Sequence, residues 1–304
     1  MKICIFGTGV MARIYADIID QYKLGQISGF VGNTESKTNQ IAADYSTKAF
    51  PNGDLAKFYD TCESDITLIT SPEWVRIEPV KLAVENQQHI ILEKPFADSL
   101  ENSLELYKIL ENHKNTFRIC HVLRYSPRFY SARNYLSDKS VFYIDATRNS
   151  NLLRFQRISS KVHPVFWLSS HDIDQMIWIK DKKIVEVFSK SNFGLKNLIT
   201  SIFQFEDGTN ASLRNIWGHP PVSNLTRSTY FNVWHEDGLI EINDSQMNIT
   251  IAEKDYISQP DTYEDFSMYG KKHGYFKDML IDFMSNIRNE NIISDLDSSL
   301  ETSK

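Results

Sequence analysis

Short apolar runs alternate with amphipathic stretches along the first part of the chain, and that alternation predicts a repeating strand–helix order. Lys2 to Phe6 is an apolar run stopped by Gly7, and Val10 to Tyr22 follows with Val10, Ile14, Ile18 and Ile19 at helical spacing. Gln26 to Val31, Asp65 to Thr70, His89 to Leu92 and Thr116 to Leu123 read as further strands. Glu35 to Tyr45, Glu73 to Asn86 and Ser99 to Asn112 read as helices between them, with Ser99 as the N-cap of the last. Strands separated by helices of this length imply right-handed βαβ units and a parallel sheet, and their almost wholly apolar composition suits a sheet covered on both faces.

Beyond about residue 125 the period changes. Val141 to Thr147, Ile184 to Ser189, Leu198 to Phe205, Tyr230 to Trp234 and Met247 to Ile251 are strand-like, and Glu206-Asp207-Gly208 and Glu236-Asp237-Gly238 are turn signals between them. Helical patterns cover His171 to Ile179 and Tyr275 to Asn289, the latter with an apolar face of Phe276, Met279, Leu280 and Phe283. Leu300 to Lys304 reads as the opening of another helix. The expected fold is α/β. A doubly wound Rossmann sheet over residues 1–122 precedes an α+β domain over residues 123–304 with a mostly antiparallel sheet, the terminal helix being free to pack back on the first domain.

At 304 residues the chain suits two domains rather than one. A net charge of −6 with no basic block argues against nucleic acid as a partner, because neutralising phosphates needs clustered Lys and Arg. The opening MKICIFGTGV lacks the apolar core of a secretory signal, and no apolar run approaches the roughly 18 residues of a membrane span. Cys4, Cys62 and Cys120 are odd in number and widely spaced, as expected of reduced thiols in a cytoplasmic protein.

The sharpest local signal is Gly7-Thr8-Gly9-Val10-Met11-Ala12, a GxGxxA turn directly after a strand and directly before a helix. The first glycine allows the tight turn, the second lets a pyrophosphate approach the backbone, and Ala12 lets the helix pack close to the strand. The helix N-terminus then offers N–H groups and a positive dipole end to the phosphates. NAD-binding domains place Asp or Glu at the end of the second strand to hold the ribose hydroxyls. Here that strand ends Phe30-Val31-Gly32-Asn33-Thr34, without an acid, and Lys37 follows. NADP is therefore favoured over NAD, with Asn33, Thr34 and Lys37 near the 2′-phosphate, although a solvated helix lysine explains Lys37 equally well.

Ile91-Leu92-Glu93-Lys94-Pro95-Phe96, together with the GxGxxA turn, resembles the glucose–fructose oxidoreductase / inositol dehydrogenase / MocA (Gfo/Idh/MocA) family. Thr70-Ser71-Pro72 is similar to that family's loop after the fourth strand, which passes the nicotinamide half of the cofactor. Arg124-Tyr125-Ser126-Pro127 and His171-Asp172-Ile173-Asp174 are similar to its domain-junction segment and to its His-Asp-x-Asp helix start. The resemblance implies that Glu93, Lys94 and Pro95 line the cofactor site, Pro95 through a cis peptide. It gives Lys94 the role of bonding the substrate hydroxyl and the nicotinamide ribose. His171 becomes its acid–base partner, since imidazole titrates near neutral pH. Asp174, on the same helix face, either orients His171 or caps the helix. Many relatives carry Asp one turn before this histidine; here the position is Trp167, which can wall the pocket or stack on a sugar ring but cannot take a proton.

Arg124, Arg148 and Arg154 are candidates to bind an anionic part of a substrate, with exposed solvated arginine as the commoner alternative. A metal set of His171, Asp172 and Asp174 is not favoured, because Asp172 falls on another helix face. The leading expectation is an NAD(P)-dependent oxidoreductase interconverting hydroxyl and ketone on a sugar, sugar derivative or cyclic polyol. Lys94, Arg124, Trp167, His171 and Asp174 would lie at the substrate. The alternatives are a nicotinamide-binding sensor or scaffold, or a reductase of C=N or C=C bonds. Resemblance alone implies a homodimer or homotetramer.

Overall fold

A computed structural model of the chain describes residues 1–153, 164–191, 197–219, 227–243, 251–252, 257–258 and 262–304. The chain divides into two compact units, one made of Met1–Val122 and Asp265–Lys304, the other of Leu123–Glu264.

The first unit is built on six parallel strands, β1 (Lys2–Phe6), β2 (Gln26–Val31), β3 (Lys48–Phe50), β4 (Ile66–Ile69), β5 (His89–Leu92) and β6 (Phe117–Ile119), in the order β3-β2-β1-β4-β5-β6. This is the doubly wound order with its reversal between β1 and β4. Cys4, Ile5, Leu68, Ile90 and Leu92 are fully buried, as expected for strands covered on both faces. Helices α1 (Val10–Gln21), α2 (Glu35–Asp44), α3 (Leu55–Thr61), α4 (Ile77–Glu85) and α5 (Leu100–Leu110) connect them. The buried face of α1 is Ala12, Tyr15, Ala16, Ile18 and Ile19; Val10, at the very start of the helix, is exposed instead. Ser99 caps α5 by accepting a hydrogen bond from the Asn102 N–H at 3.1 Å.

Two elements of this unit do not stand out in the apolar pattern, β3 and α3, because three and seven residues are too few for a period to show. The segment expected as one helix over Glu73 to Asn86 is a 3₁₀ turn, Glu73–Val75, followed by α4.

The C-terminal segment completes this unit. Tyr22 donates to the Lys272 carbonyl at 2.7 Å and Phe276 meets the Tyr15 ring edge-on. Arg118 pairs with Asp282 at 2.6 Å, and the Phe117 N–H donates to the Ile293 carbonyl.

The second unit centres on a six-stranded mixed sheet. Its strands are β7 (Val141–Asn151), β8 (Ile184–Ser191), β9 (Leu198–Phe205), β10 (Asn210–His219), β11 (Arg227–His235) and β12 (Gly238–Asn243), in the order β12-β11-β7-β10-β9-β8. All neighbours are antiparallel except β7 and β10, which run parallel. Both expected turns join hairpins, β9 to β10 and β11 to β12. Helices α6 (Pro127–Leu136) and α7 (Pro164–Lys180) pack on one another, and α7 covers β7 and β10. The opposite sheet face leaves Phe188, Ile202, Tyr230 and Leu239 exposed. α7 starts well before His171, so that histidine is a mid-helix residue and not a helix start. The strand expected over Met247 to Ile251 lies outside the described residues except for Ile251, which pairs with Ser258.

Helix α8 (Tyr275–Arg288) buries Phe276, Met279, Leu280 and Phe283 against the first unit's core, and α9 (Leu296–Ser303) follows. Phe283 is 1% exposed, so Phe283→Ala is expected to cost about 3–5 kcal/mol in denaturant unfolding of the intact chain.

Candidate functional site

The strand ends of the first unit fall on one line. Phe6 pairs with Val31 on one side and Ile69 on the other, Ile69 pairs with Leu92, and Leu92 with Ile119. The residues one step beyond, Gly32, Gly7, Thr70, Glu93 and Cys120, therefore emerge together at the carboxyl edge, where open parallel sheets bind ligands.

Gly7 has φ +130° and donates its N–H to the Val31 carbonyl at 2.8 Å. A Cβ there would run into the Thr70 hydroxyl and its backbone, so the turn after β1 closes directly on the loop after β4. Gly9 is different. Its φ is −83°, and a Cβ would meet nothing within 4 Å. That open space lies in front of the α1 N-terminus, which has no side-chain cap and no acidic residue in its first turn. An uncapped helix end carrying its own positive dipole, beside a cradle that a Cβ would fill, fits the pyrophosphate of a dinucleotide. Thr8, Val10, Met11 and Ala12 complete the turn.

At the end of β2, Gly32 is needed because a Cβ would collide with the Thr8 and Thr38 side chains. Asn33, Thr34 and Lys37 follow in exposed positions, and none of the residues from Val31 to Thr34 is acidic.

The third loop carries Glu93-Lys94-Pro95. The Lys94–Pro95 peptide is cis, as the resemblance implied. Glu93 is buried and accepts a 2.5 Å hydrogen bond from the Tyr15 hydroxyl of α1. Burial pushes its carboxyl above the usual carboxylate range, opposed by the Tyr15 bond and the Lys94 and Arg76 cations. Lys94 is half-buried. Sequence reasoning missed Arg76, between the 3₁₀ turn and α4. It is 2% exposed and donates from Nε and Nη2 to the Ser71 carbonyl, both at 3.2 Å. Nη1 donates to the Pro95 carbonyl and Nη2 to that of Lys94 at 3.4 Å. One guanidinium therefore joins the Thr70-Ser71-Pro72 loop to the Lys94–Pro95 pair. A charged residue next to a helix start reads as solvated in sequence, so no signal identifies it there.

In the second unit, α7 displays Trp167, His171 and Asp174 at helical spacing. Trp167 and His171 are half-buried, and the Trp167 ring lies 6.0 Å from that of the buried Trp217 on β10. Asp174 is not a helix cap, because it lies in the middle of α7. Its carboxylate accepts from Arg124 at 2.5 and 3.1 Å and from the Gln175 amide at 3.1 Å. Asp172 is likewise held by Arg148 of β7 through two 2.8 Å bonds, with both groups buried. Arg124 and Arg148 thus spend at least part of their fork on carboxylates of their own chain, and Arg154 lies outside the described residues. Among the described residues, no group of three or more His, Cys, Asp or Glu is placed to hold a metal ion, and no helix is long and apolar enough to cross a membrane.

Comparison with known proteins agrees with this geometry. Residues 1–121 match the model of the oxidoreductase family with an NAD-binding Rossmann fold. The chain is 22% identical over 187 residues to UDP-N-acetylglucosamine 3-dehydrogenase of Acidithiobacillus ferrooxidans, a stretch that is 62% of this chain and only 56% of that relative. The structure of scyllo-inositol dehydrogenase from Lactobacillus casei with NAD(H) and scyllo-inositol matches the whole chain and 94% of its own, with TM-score 0.80 and 16% identity. GenD2 from gentamicin A biosynthesis, in complex with NAD, matches with TM-score 0.81 and 13% identity over 100% of this chain and 91% of its own.

Two glycine variants separate fold from binding. Gly9→Ala should keep the wild-type melting temperature and lose dinucleotide affinity in a fluorescence titration, whereas Gly7→Ala should lower the melting temperature itself; Gly9→Ala that binds normally would contradict the phosphate cradle. A second test uses Glu93. Its raised pKa means the folded state keeps a proton that the unfolded state releases, so stability falls as pH rises from about 4.5. Glu93→Gln should be at least as stable as wild type near pH 7, with the gap closing in acid melts.

Proposed function

Residues 1–121 match the Gfo/Idh/MocA oxidoreductase family model, and from that premise we propose that the protein is an NAD(P)-dependent oxidoreductase interconverting hydroxyl and ketone on a sugar, sugar derivative or cyclic polyol. The observation that carries this reading is the alignment of the Gly7–Ala12 turn, the Thr70 loop and Lys94 along one sheet edge. A GxGxxA turn after β1 and an ionisable amine after β5, with the Thr70 loop of β4 between them, support a dinucleotide and a proton-handling group at one edge. The two dehydrogenases with inositol and amino-sugar names among the similar proteins support the substrate class.

The bound nicotinamide would supply the hydride acceptor or donor. The chain's own residues manage the rest. The Lys94 amine hydrogen-bonds the reacting hydroxyl and, in the neutral form, takes its proton as the carbon–oxygen bond becomes a carbonyl; His171 shares that proton handling. Trp167 offers a flat apolar face suited to a sugar ring. Arg124, held by Asp174, fixes α7 close to His171, and by resemblance it belongs to the substrate side of the site.

The cofactor preference proposed is NADP. It rests on the absence of a carboxylate from Val31 to Thr34 and on exposed Lys37; NAD is the alternative, and two of the similar solved structures hold NAD or NAD(H). A homodimer or homotetramer through the open face of the second sheet would cover Phe188, Ile202, Tyr230 and Leu239. The three cysteines are unpaired thiols, which suits a reducing cytoplasm. Trp167 favours a second reading, because it removes the acid of many relatives: a nicotinamide-binding sensor or scaffold, or a reductase of C=N or C=C bonds. A sensor would bind the cofactor and exchange hydride with no carbonyl compound.

Side-by-side titration with NADPH and NADH should show tighter NADPH binding, reduced by Lys37→Ala; a preference for NADH would remove the 2′-phosphate argument and leave the enzyme class intact. On a sugar or polyol that wild type turns over, Lys94→Ala should lose about 10²–10⁴-fold in turnover with cofactor binding retained, and near-normal turnover would sink the assignment.

A further inference from the structure

We propose that Arg76 is a positioning residue, which sets Lys94 and the Thr70-Ser71-Pro72 loop in register as one unit so that the nicotinamide half of the cofactor is gripped. The inference rests on the dinucleotide reading above. Its geometry is that of a buried fork with backbone acceptors on two loops: Ser71 from Nε and Nη2, Pro95 from Nη1, Lys94 from Nη2. The strand order decides which half of the cofactor is concerned. The pyrophosphate belongs to the turn after β1 and the adenosine ribose to the end of β2, on one side of the reversal. The other half of a dinucleotide must then extend over the ends of β4 and β5, and those ends carry the two loops that Arg76 joins.

A buried cation is an expensive way to fill space. Its negative surroundings come from Glu73, Glu93 and Asp98, while its hydrogen bonds go to carbonyls. Carbonyls fix backbone, and backbone is what places the Lys94 side chain at its root. A planar fork reaches three carbonyls at once; lysine, a point charge on a flexible stem, reaches one or two. Without the fork, the two loops keep their strands and lose their mutual spacing, and a displacement of about 1 Å at a reacting group is enough to cost on the order of 10²-fold.

The test compares NADH or NADPH, whichever wild type binds, with ADP, which lacks both the nicotinamide and its ribose and so reports only on the β1–β2 side. Wild type, Arg76→Gln and Arg76→Lys are titrated with both, and their melting temperatures are recorded. Arg76→Gln should bind ADP within about twofold of wild type and lose at least about tenfold in dinucleotide affinity, with Arg76→Lys between. The fluorescence of bound reduced cofactor, which reports on the nicotinamide environment, should shift toward that of free cofactor in the same order. Equal loss for both ligands, or no loss for either, would overturn the proposal, as would two variants that fail to fold, since Arg76 would then serve stability alone. Wild type that binds ADP but neither dinucleotide would instead overturn the oxidoreductase reading, and the proposal with it.

Discussion

Register across the parallel sheet governs the placement of every chemical group in the first unit. Val31, Phe6, Ile69, Leu92 and Ile119 stand in one row of backbone pairs, so the residues that follow them leave the sheet at the same level. A slip of one residue in any strand would turn its buried side chains over and withdraw its loop from that row. The strands are buried on both faces, which makes such a slip costly and fixes the level of the loops without any contribution from the loops themselves.

The loops then need holding at closer tolerance than a sheet supplies. Gly7 achieves this by leaving no room for a side chain against Thr70. Tyr15 and Glu93 tie α1 to the loop after β5, and Arg76 ties that loop to the one after β4. In the second unit two arginines do comparable work on one helix. Asp172 and Asp174 of α7 are each gripped by a guanidinium from another element, so the helix bearing Trp167 and His171 is anchored on either side of its axis. Breaking a buried pair such as Arg148–Asp172 by removing one partner typically costs about 3–5 kcal/mol, because the other charge stays buried alone.

How much of this could be read from the amino-acid order follows from what each residue contacts. Apolar runs such as Ile66–Ile69 and His89–Leu92 declare themselves because burial on both faces demands it, and the GxGxxA turn does so because only small residues fit. β10 did not, since its inward positions include Asn215 beside Leu213 and Trp217, which breaks the apolar alternation. The start of α7 is hidden in the sequence because apolar residues surround much of its circumference, leaving no clear face and making His171 look like a beginning. The partners of charged residues were the least legible. Arg76 meets carbonyls 5 and 19 residues away, and Arg148 meets Asp172 at a separation of 24, distances at which no local pattern survives. Asp174 reads as a cap or a histidine partner for the same reason, while its carboxylate answers to Arg124, 50 residues earlier.

The first unit is not continuous in the chain. Its β6 edge is closed by Ile293 and Asp295, and its α1 by Tyr22–Lys272 and Tyr15–Phe276 contacts, all supplied by the last forty residues or so. During synthesis residues 1–122 therefore emerge before the second unit, and the segment that completes their unit emerges after it. At roughly 5–20 residues per second, the whole of the second unit must leave the ribosome before that cover arrives, a delay on the order of ten seconds. Through that interval an apolar helix face of α1 and the β6 edge stand open in the nascent chain, uncovered until residues 265–304 follow.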